Sequence, residues 1–298
     1  MKFGKLDNIE GIDFTLPPDH RVNQNFNRNE HDEFRIYSGG TMWGIKQWKG
    51  TYFPVKAPVS SFGEHYCKQF GCIELNATHY RIHPPETISK WKAMAPNDFK
   101  FCPKWPQLIT HYRRFTNSEG LTDEFLNAIS HFEENLGPCF IQLPPNYTTK
   151  YADRLKNYLA SLPRDIEIAI ELRHPSWFDS DTDENIWEFL SVHGIGSVIS
   201  DTAGRRDAVH MALTAPFVVL RFGAYQLHPS DQKRWQDWID RMKEWKKMGM
   251  QSFYLLMHQP DSLLTPESCA IFGDMVEEQM GLKVKSPQRI TLQGDLFP

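Results

Sequence analysis

The chain has 298 residues, of which 40% are hydrophobic, with 18 Gly and 20 Pro; this is ample for a buried core and excludes a disordered or collagen-like chain. Its 33 Lys and Arg against 37 Asp and Glu leave a formal net charge of -4, so no global positive field draws in nucleic acid, and any such contact must be local. Apolar runs such as 138–143 and 217–220 fall far short of the ~18 residues a membrane span needs, so no membrane partner is expected.

At the N-terminus, Asp7 stands where an export signal needs an apolar stretch. The five cysteines, Cys67, Cys72, Cys102, Cys139 and Cys269, include no C-x-x-C pair and read as buried thiols of a reducing compartment. A cytoplasmic protein is the expectation.

Residues 1–33 show no periodicity. They hold the break Leu16-Pro17-Pro18 and an Asn-rich run from Asn23 to Asn29, and read as an extension wrapping a domain. Eight short, mostly continuous apolar runs follow, at 35–38, 72–75, 99–102, 139–143, 166–172, 196–200, 217–222 and 252–257. Runs of this kind are strands buried on both faces, as in a parallel sheet.

Helical segments alternate with them. Ser61-Phe62-Gly63-Glu64 has capping-box spacing at the head of a helix reaching Phe70. After Thr122, Phe125, Ile129 and Phe132 keep one face apolar until Gly137-Pro138. Further helices are predicted over 85–95, 149–162, 183–193, 230–248 and 266–280, whereas 201–216 has room for only a turn or two. Eight strand–helix alternations without a Gly-rich phosphate loop predict an α/β fold, a TIM-like (β/α)8 barrel of parallel strands with outer helices, over residues 34–281. Residues 282–298 form a C-terminal tail.

Side chains at the C-terminal strand ends of such a barrel converge on one mouth. Candidate substrate-binding residues there are Trp43, Asn76, Thr78, Tyr80, Lys104, Gln142, Arg173, Arg221 and His258, with Glu171, His174 and Asp201 as candidate catalytic groups. Glu74 also lies along the second strand. In Ile168-Ala169-Ile170-Glu171-Leu172-Arg173, period-two alternation puts Glu171 and Arg173 on one face, as either a structural ion pair or a functional one. Lys104, Arg173 and Arg221 form a basic ring suited to a phosphate or carboxylate group. Glu171, His174, Asp201 and His258 also offer donors to a divalent metal, but without the local spacing that marks a metal site; no cofactor is evident.

The run Ser38-Gly39-Gly40-Thr41-Met42-Trp43, the segment 48–54, Ile73-Glu74-Leu75-Asn76-Ala77-Thr78-His79-Tyr80-Arg81, Gln142-Leu143-Pro144-Pro145 and Ile170-Glu171-Leu172-Arg173-His174-Pro175-Ser176-Trp177-Phe178 together resemble the YecE-like family, also called domain of unknown function 72. The resemblance covers residues 35–260 in order. It implies a (β/α)8-like barrel and a candidate pocket without supplying a reaction. One departure is the eighth strand end, Met257-His258-Gln259-Pro260, where the family usually carries an Asn-rich polar stretch.

These observations predict an enzyme, of hydrolase or lyase type, taking a small anionic, phosphorylated or sugar-like substrate at the strand-end mouth, with Glu171 as general acid or base and His174 or His258 exchanging protons. A DNA-maintenance protein or nuclease is a second reading. The tail segment Gln293-Gly294-Asp295-Leu296-Phe297 resembles the short peptide by which bacterial replication and repair proteins bind the DNA sliding clamp, with Gln293, Leu296 and Phe297 as the partner-binding residues. A third reading is a catalytically inert binding barrel.

Overall fold

The computed structural model describes residues 3–26 and 33–290. Eight strands form among them: β1 (Arg35–Gly39), β2 (Cys72–Leu75), β3 (Lys100–Pro103), β4 (Cys139–Gln142), β5 (Ile168–Glu171), β6 (Gly196–Asp201), β7 (Phe217–Gly223) and β8 (Ser252–His258). The helices are α1 (Phe62–Gln69), the single turn α2 (Ala77–Tyr80), α3 (Pro85–Lys92), α4 (Glu119–Ser130), α5 (Ala152–Ala160), α6 (Ser180–Val192), α7 (Pro229–Lys247) and α8 (Thr265–Met280). The expected order of alternating elements is therefore present, and every paired strand runs parallel to its neighbour.

A continuous ladder runs β1-β8-β7-β6-β5-β4, and β2 pairs with β3. Isolated hydrogen bonds bridge the two remaining seams. Gly71 N donates to Ser38 O and Glu74 N to Gly40 O between β1 and β2, while Gly137 N donates to Phe101 O and Trp105 N to Phe140 O between β3 and β4. At the first seam the backbones nearly touch: a Cβ on Gly39 would lie 1.8 Å from the Cys72 carbonyl oxygen, so only glycine fits. The result is a TIM-like barrel whose ring is ladder-bonded over six strands and lightly stitched around the other two.

Alternation sorts each strand into two faces. Outward residues such as Ile73, Phe101, Ile141, Ile170, Ile199 and Leu220 join the large core beneath the helices. Inward ones, among them Cys72, Cys102, Phe140, Ala169, Val198, Val219 and Leu256, form a second apolar cluster inside the ring. The stripe Trp235, Trp238, Met242 and Trp245 of α7 is fully buried and packs on the barrel, as its helical spacing predicts.

Two local expectations differ: α4 stops at Ser130 rather than running to Gly137, and the capping box at Ser61 is not made. The Ser61 hydroxyl makes no cap to α1: it donates to Pro58 O, and Glu64 pairs with Lys68 instead. Ser61 already belongs to a 3-10 turn, with φ -94° and ψ 0°, so its side chain is not aimed at the helix N-H groups. Between β6 and β7 the chain forms only the short turn Arg206–Ala208. The N-terminal segment supplies cover there, with Asn23 donating to Met211 O and accepting from Leu213 N at 2.7 Å, and His20 lying against Trp187 at 5.5 Å.

Candidate functional site

The site follows from the same alternation. Stepping two residues along each strand from the inner apolar cluster gives Glu74, Lys104, Gln142, Glu171, Ser200, Arg221 and His258. Every one of these is buried. The C-terminal layer of the lumen is therefore polar and charged, over an apolar floor.

Arg221 on β7 organises this layer. Its Nε and Nη2 donate to Glu74 at 3.0 and 2.9 Å, and its Nη1 donates to both oxygens of Glu171 at 3.0 and 2.8 Å. Glu171 also accepts from Gln142 (2.7 Å), Ser200 (2.8 Å) and Arg173 Nε (3.0 Å). Glu74 accepts from Asn76 (3.0 Å) and from His258 Nε2 (2.8 Å). Both carboxylates are thus saturated with donors. Burial pushes the Glu171 carboxyl up, but Arg173 and Arg221 outweigh it and hold the group down at about 2. Glu74 is likewise driven well below its usual range, Arg221 overcoming the burial penalty. Such groups are fixed negative charges at neutral pH, poorly suited to accept a proton.

His258 is buried, and that burial lowers its ring to about 4 against the pull of Glu74. It is therefore a neutral imidazole whose Nε2-H is donated to Glu74, and the ring also lines a neighbouring cavity.

Lys104 and Arg173 differ from Arg221 in having donors to spare. Lys104 is 7% exposed and its ammonium has no hydrogen-bond or ion-pair partner among the described residues. Burial and Arg221 lower its pKa to about 8, although Glu74 and Glu171 pull the other way. Arg173 uses Nε on Glu171, and its two Nη groups have no hydrogen-bond partner among the described residues. Its side chain is 12% exposed, beneath the Phe3 ring at 4.6 Å. Glu74 and Glu171 thus face Lys104, Arg173 and Arg221: two carboxylates against three cations.

Other expected site residues lie apart from this cluster. Asp201 follows Ser200 by one residue, so alternation turns it outward. It is fully buried against α7, where Arg234 (2.9 Å), Arg206 and Trp238 Nε1 (2.8 Å) hold it, and those cations keep its carboxyl ionised despite burial. His174 accepts from Ser176 N through Nδ1 and caps the turn Pro175–Trp177. Thr78 bonds to Leu75 O and Lys104 O, both at 2.8 Å, clasping the ends of β2 and β3. Trp43 packs against Trp91 of α3, and Tyr80 is 71% exposed. Glu74, noted on the second strand but assigned no role, and Ser200, which was not expected, are both central. Counting by twos from Cys72 and Val198 is the signal that finds them.

The N-terminal segment lies over part of the mouth. Gly4 O accepts from Gly204 N (2.8 Å) and Phe14 O from Arg206 Nη2 (3.1 Å). Between this segment and the ends of β6 to β8 lies a cavity of about 280 Å³, walled by Phe3, Leu6, Ile9 and Phe14 on one side and by Thr202, Tyr225, Arg234, His258 and Gln259 on the other. Among the described residues no three His, Cys, Asp or Glu side chains converge to hold a metal ion.

A TIM-like barrel with a charged, partly capped C-terminal lumen is the class that fold and site define. Residues 37–291 match the profile of the protein family of unknown function DUF72, and the chain belongs to that family. It is 29% identical over 251 residues to the UPF0759 protein YecE of Escherichia coli K12, covering 78% of this chain and 89% of the relative. It is 26% identical over 238 residues to the UPF0759 protein YunF of Bacillus subtilis, covering 71% and 82%. Crystal structures of DUF72 family proteins from Enterococcus faecalis (TM-score 0.63, 17% identity, 85% of this chain and all of that one) and Thermotoga maritima (TM-score 0.58, 20% identity, 83% and 99%) share the fold. No helix among the described residues is long and apolar enough to cross a membrane.

Proposed function

We propose that the protein is an enzyme acting on a small anionic substrate, of phosphorylated or sugar type, bound at the C-terminal mouth of the barrel. One observation carries this reading. Lys104 Nζ and the Arg173 Nη groups are nearly buried cations with unused donors, held at the mouth of a lumen whose carboxylates are already satisfied. These donors reach solvent at the mouth, where an oxyanion would take charge-assisted hydrogen bonds that the satisfied carboxylates no longer claim. Glu74, Glu171 and Arg221 form the rigid floor, Gln142, Ser200 and Asn76 orient it, and proton exchange falls to the neutral ring of His258. Asp201 and His174, engaged elsewhere, take no part in this reading.

Calorimetric titration with inorganic phosphate and a set of sugar phosphates tests this. Wild type should bind, and Arg173→Met should weaken binding by roughly tenfold or more, the worth of one charge-assisted hydrogen bond, with little change in melting temperature. A large fall in melting temperature with unchanged binding would make Arg173 a structural ion-pair partner. Binding without turnover across the set would favour the inert binding barrel.

The tail supports a second reading, recruitment to the DNA sliding clamp. Gln293, Leu296 and Phe297 lie outside the described residues. The chain before them is fastened to the barrel as far as residue 290, with Ile290 N donating to Thr51 O (2.7 Å) and Gln288 N to Gln69 (2.8 Å). Titrating a labelled 286–298 peptide with clamp should show binding that is lost when Leu296 and Phe297 become Ala. No binding at high micromolar clamp would remove this reading.

A further inference from the structure

We propose that Lys104 is a covalent carbonyl-capturing residue, so that the substrate class is an anion bearing an aldehyde or ketone, such as a phosphorylated aldose or a 2-oxo acid. This deepens the anion-binding reading above and rests on it.

Geometry carries the argument. Lys104 continues the inward face of β3 beyond Cys102, and this places a primary amine in the charged layer with no internal partner. Of the groups around it, Glu74 on β2, Glu171 on β5 and Arg221 on β7 are locked to one another. His79 on α2 gives Nδ1 to Trp105 O at 2.7 Å, and His111 contacts Thr110 at 2.7 Å, the two rings being 5.2 Å apart. Burial and the Lys104 charge keep both imidazoles neutral, at about 4.

An ordinary lysine is a poor nucleophile because it is protonated. With a pKa near 8, about one Lys104 amine in ten is free at pH 7, against about one in a few thousand for an unperturbed lysine. No other described group in this layer offers an available nucleophile: the carboxylates are saturated, Ser200 is engaged with Glu171, and the Cys72 thiol is pushed far up by burial. Arg173, whose charge acts on Lys104 in the same layer, presents the free Nη donors that would seat the substrate's anionic group.

In the step, the Nζ lone pair forms a bond to the carbonyl carbon while the C=O π pair moves to oxygen, which takes up a proton as Nζ loses one. The resulting carbinolamine expels its hydroxyl as water and leaves a C=N imine. No oxidant or reductant is needed, because each proton that Nζ loses is the one the departing oxygen gains.

Pyridoxal 5'-phosphate, a phosphorylated aldehyde, serves as the probe. The full-length protein is incubated with it near pH 7.5, the imine is reduced with borohydride, and peptides are mapped by mass spectrometry. Lys104 should label at least tenfold faster than exposed lysines such as Lys247, excess inorganic phosphate should slow it, and Arg173→Met should lower its rate. Lys104→Arg and Lys104→Met, checked for folding by circular dichroism, should lose that fast label alone. Phosphate binding with Lys104 labelled no faster than surface lysines would overturn the covalent role and leave the anion site standing. Absence of both would overturn the two together.

Discussion

Arg221 is the residue on which the lumen depends, because four hydrogen bonds tie it to two buried carboxylates. Arg221→Met would remove the cation that the two buried carboxylates share, leaving Glu171 with Arg173 and Glu74 with the neutral ring of His258, a loss of about 3–5 kcal/mol, measured by urea unfolding at pH 7. The pH dependence has a definite sign. Glu171 is held at about 2 in the fold against 4.5 unperturbed, so its contribution is present above about pH 4.5 and lost as pH falls towards 2. In the variant Arg173 alone pairs with Glu171 and the carboxyls are held down less strongly, so its deficit should be largest at neutral pH and shrink below about pH 4.5. A deficit constant from pH 7 to 3 would contradict this account. Legibility at this scale turned on single-residue parity. Glu171, Arg173, Gln142 and Arg221 were legible because alternation in their strands leaves no other face for them, while at β6 a carboxylate next to a serine drew attention to the outward one. Asp201→Asn should accordingly destabilise α7 packing, seen as a lower melting temperature, and leave phosphate affinity within about twofold, since its partners are Arg234, Arg206 and Trp238.

At the scale of elements, strands and helices were legible from continuous apolar runs and 3.6-residue stripes, their bounds shifting by a residue or a few except at α4, which ends at Ser130 and gives way to the 3-10 turn Glu133–Asn135 before Gly137. The covering of the gap between β6 and β7 was not. The segment around Asn23 has no hydrophobic period, and its specificity lies in hydrogen bonds to the backbone of Met211 and Leu213, which no side-chain pattern announces. Replacing Asn23 with Ala strands a buried N-H and a buried carbonyl and should cost about 1–3 kcal/mol, read from denaturant unfolding. Phosphate affinity should not change, because Asn23 packs on the outer layer. The unmade cap at Ser61 carries the same lesson: a motif of the right letters fails when the preceding turn has already set the backbone.

For the molecule as a whole, the lumen is an apolar plug carrying a polar crown. The plug of Cys72, Cys102, Phe140, Phe217, Tyr254 and their neighbours closes the barrel from below, so the crown meets water at one end only, and mobile ions cannot surround it. Screening acts chiefly on exposed charge. Phosphate affinity should therefore fall by less than about threefold between 0.05 and 0.5 M sodium chloride, whereas a steep salt dependence would place the anion on the outer surface.

The stitched seams have a mechanical consequence. A fully laddered cylinder resists local change because displacing one stave tears two rows of hydrogen bonds. Here β2 and β3 share a ladder with each other, and only scattered bonds moor them to β1 and β4. Glu74 and Lys104 ride on this pair, while Glu171, Arg173 and Arg221 ride on the rigid arc. The charged crown thus straddles a joint, and a ligand gripping Lys104 and Arg173 together would clamp the two bodies. Amide hydrogens of Glu74, Trp105 and Gly137, which span the seams, should exchange faster than those within β7 and β8, and phosphate should slow the seam amides more than the arc.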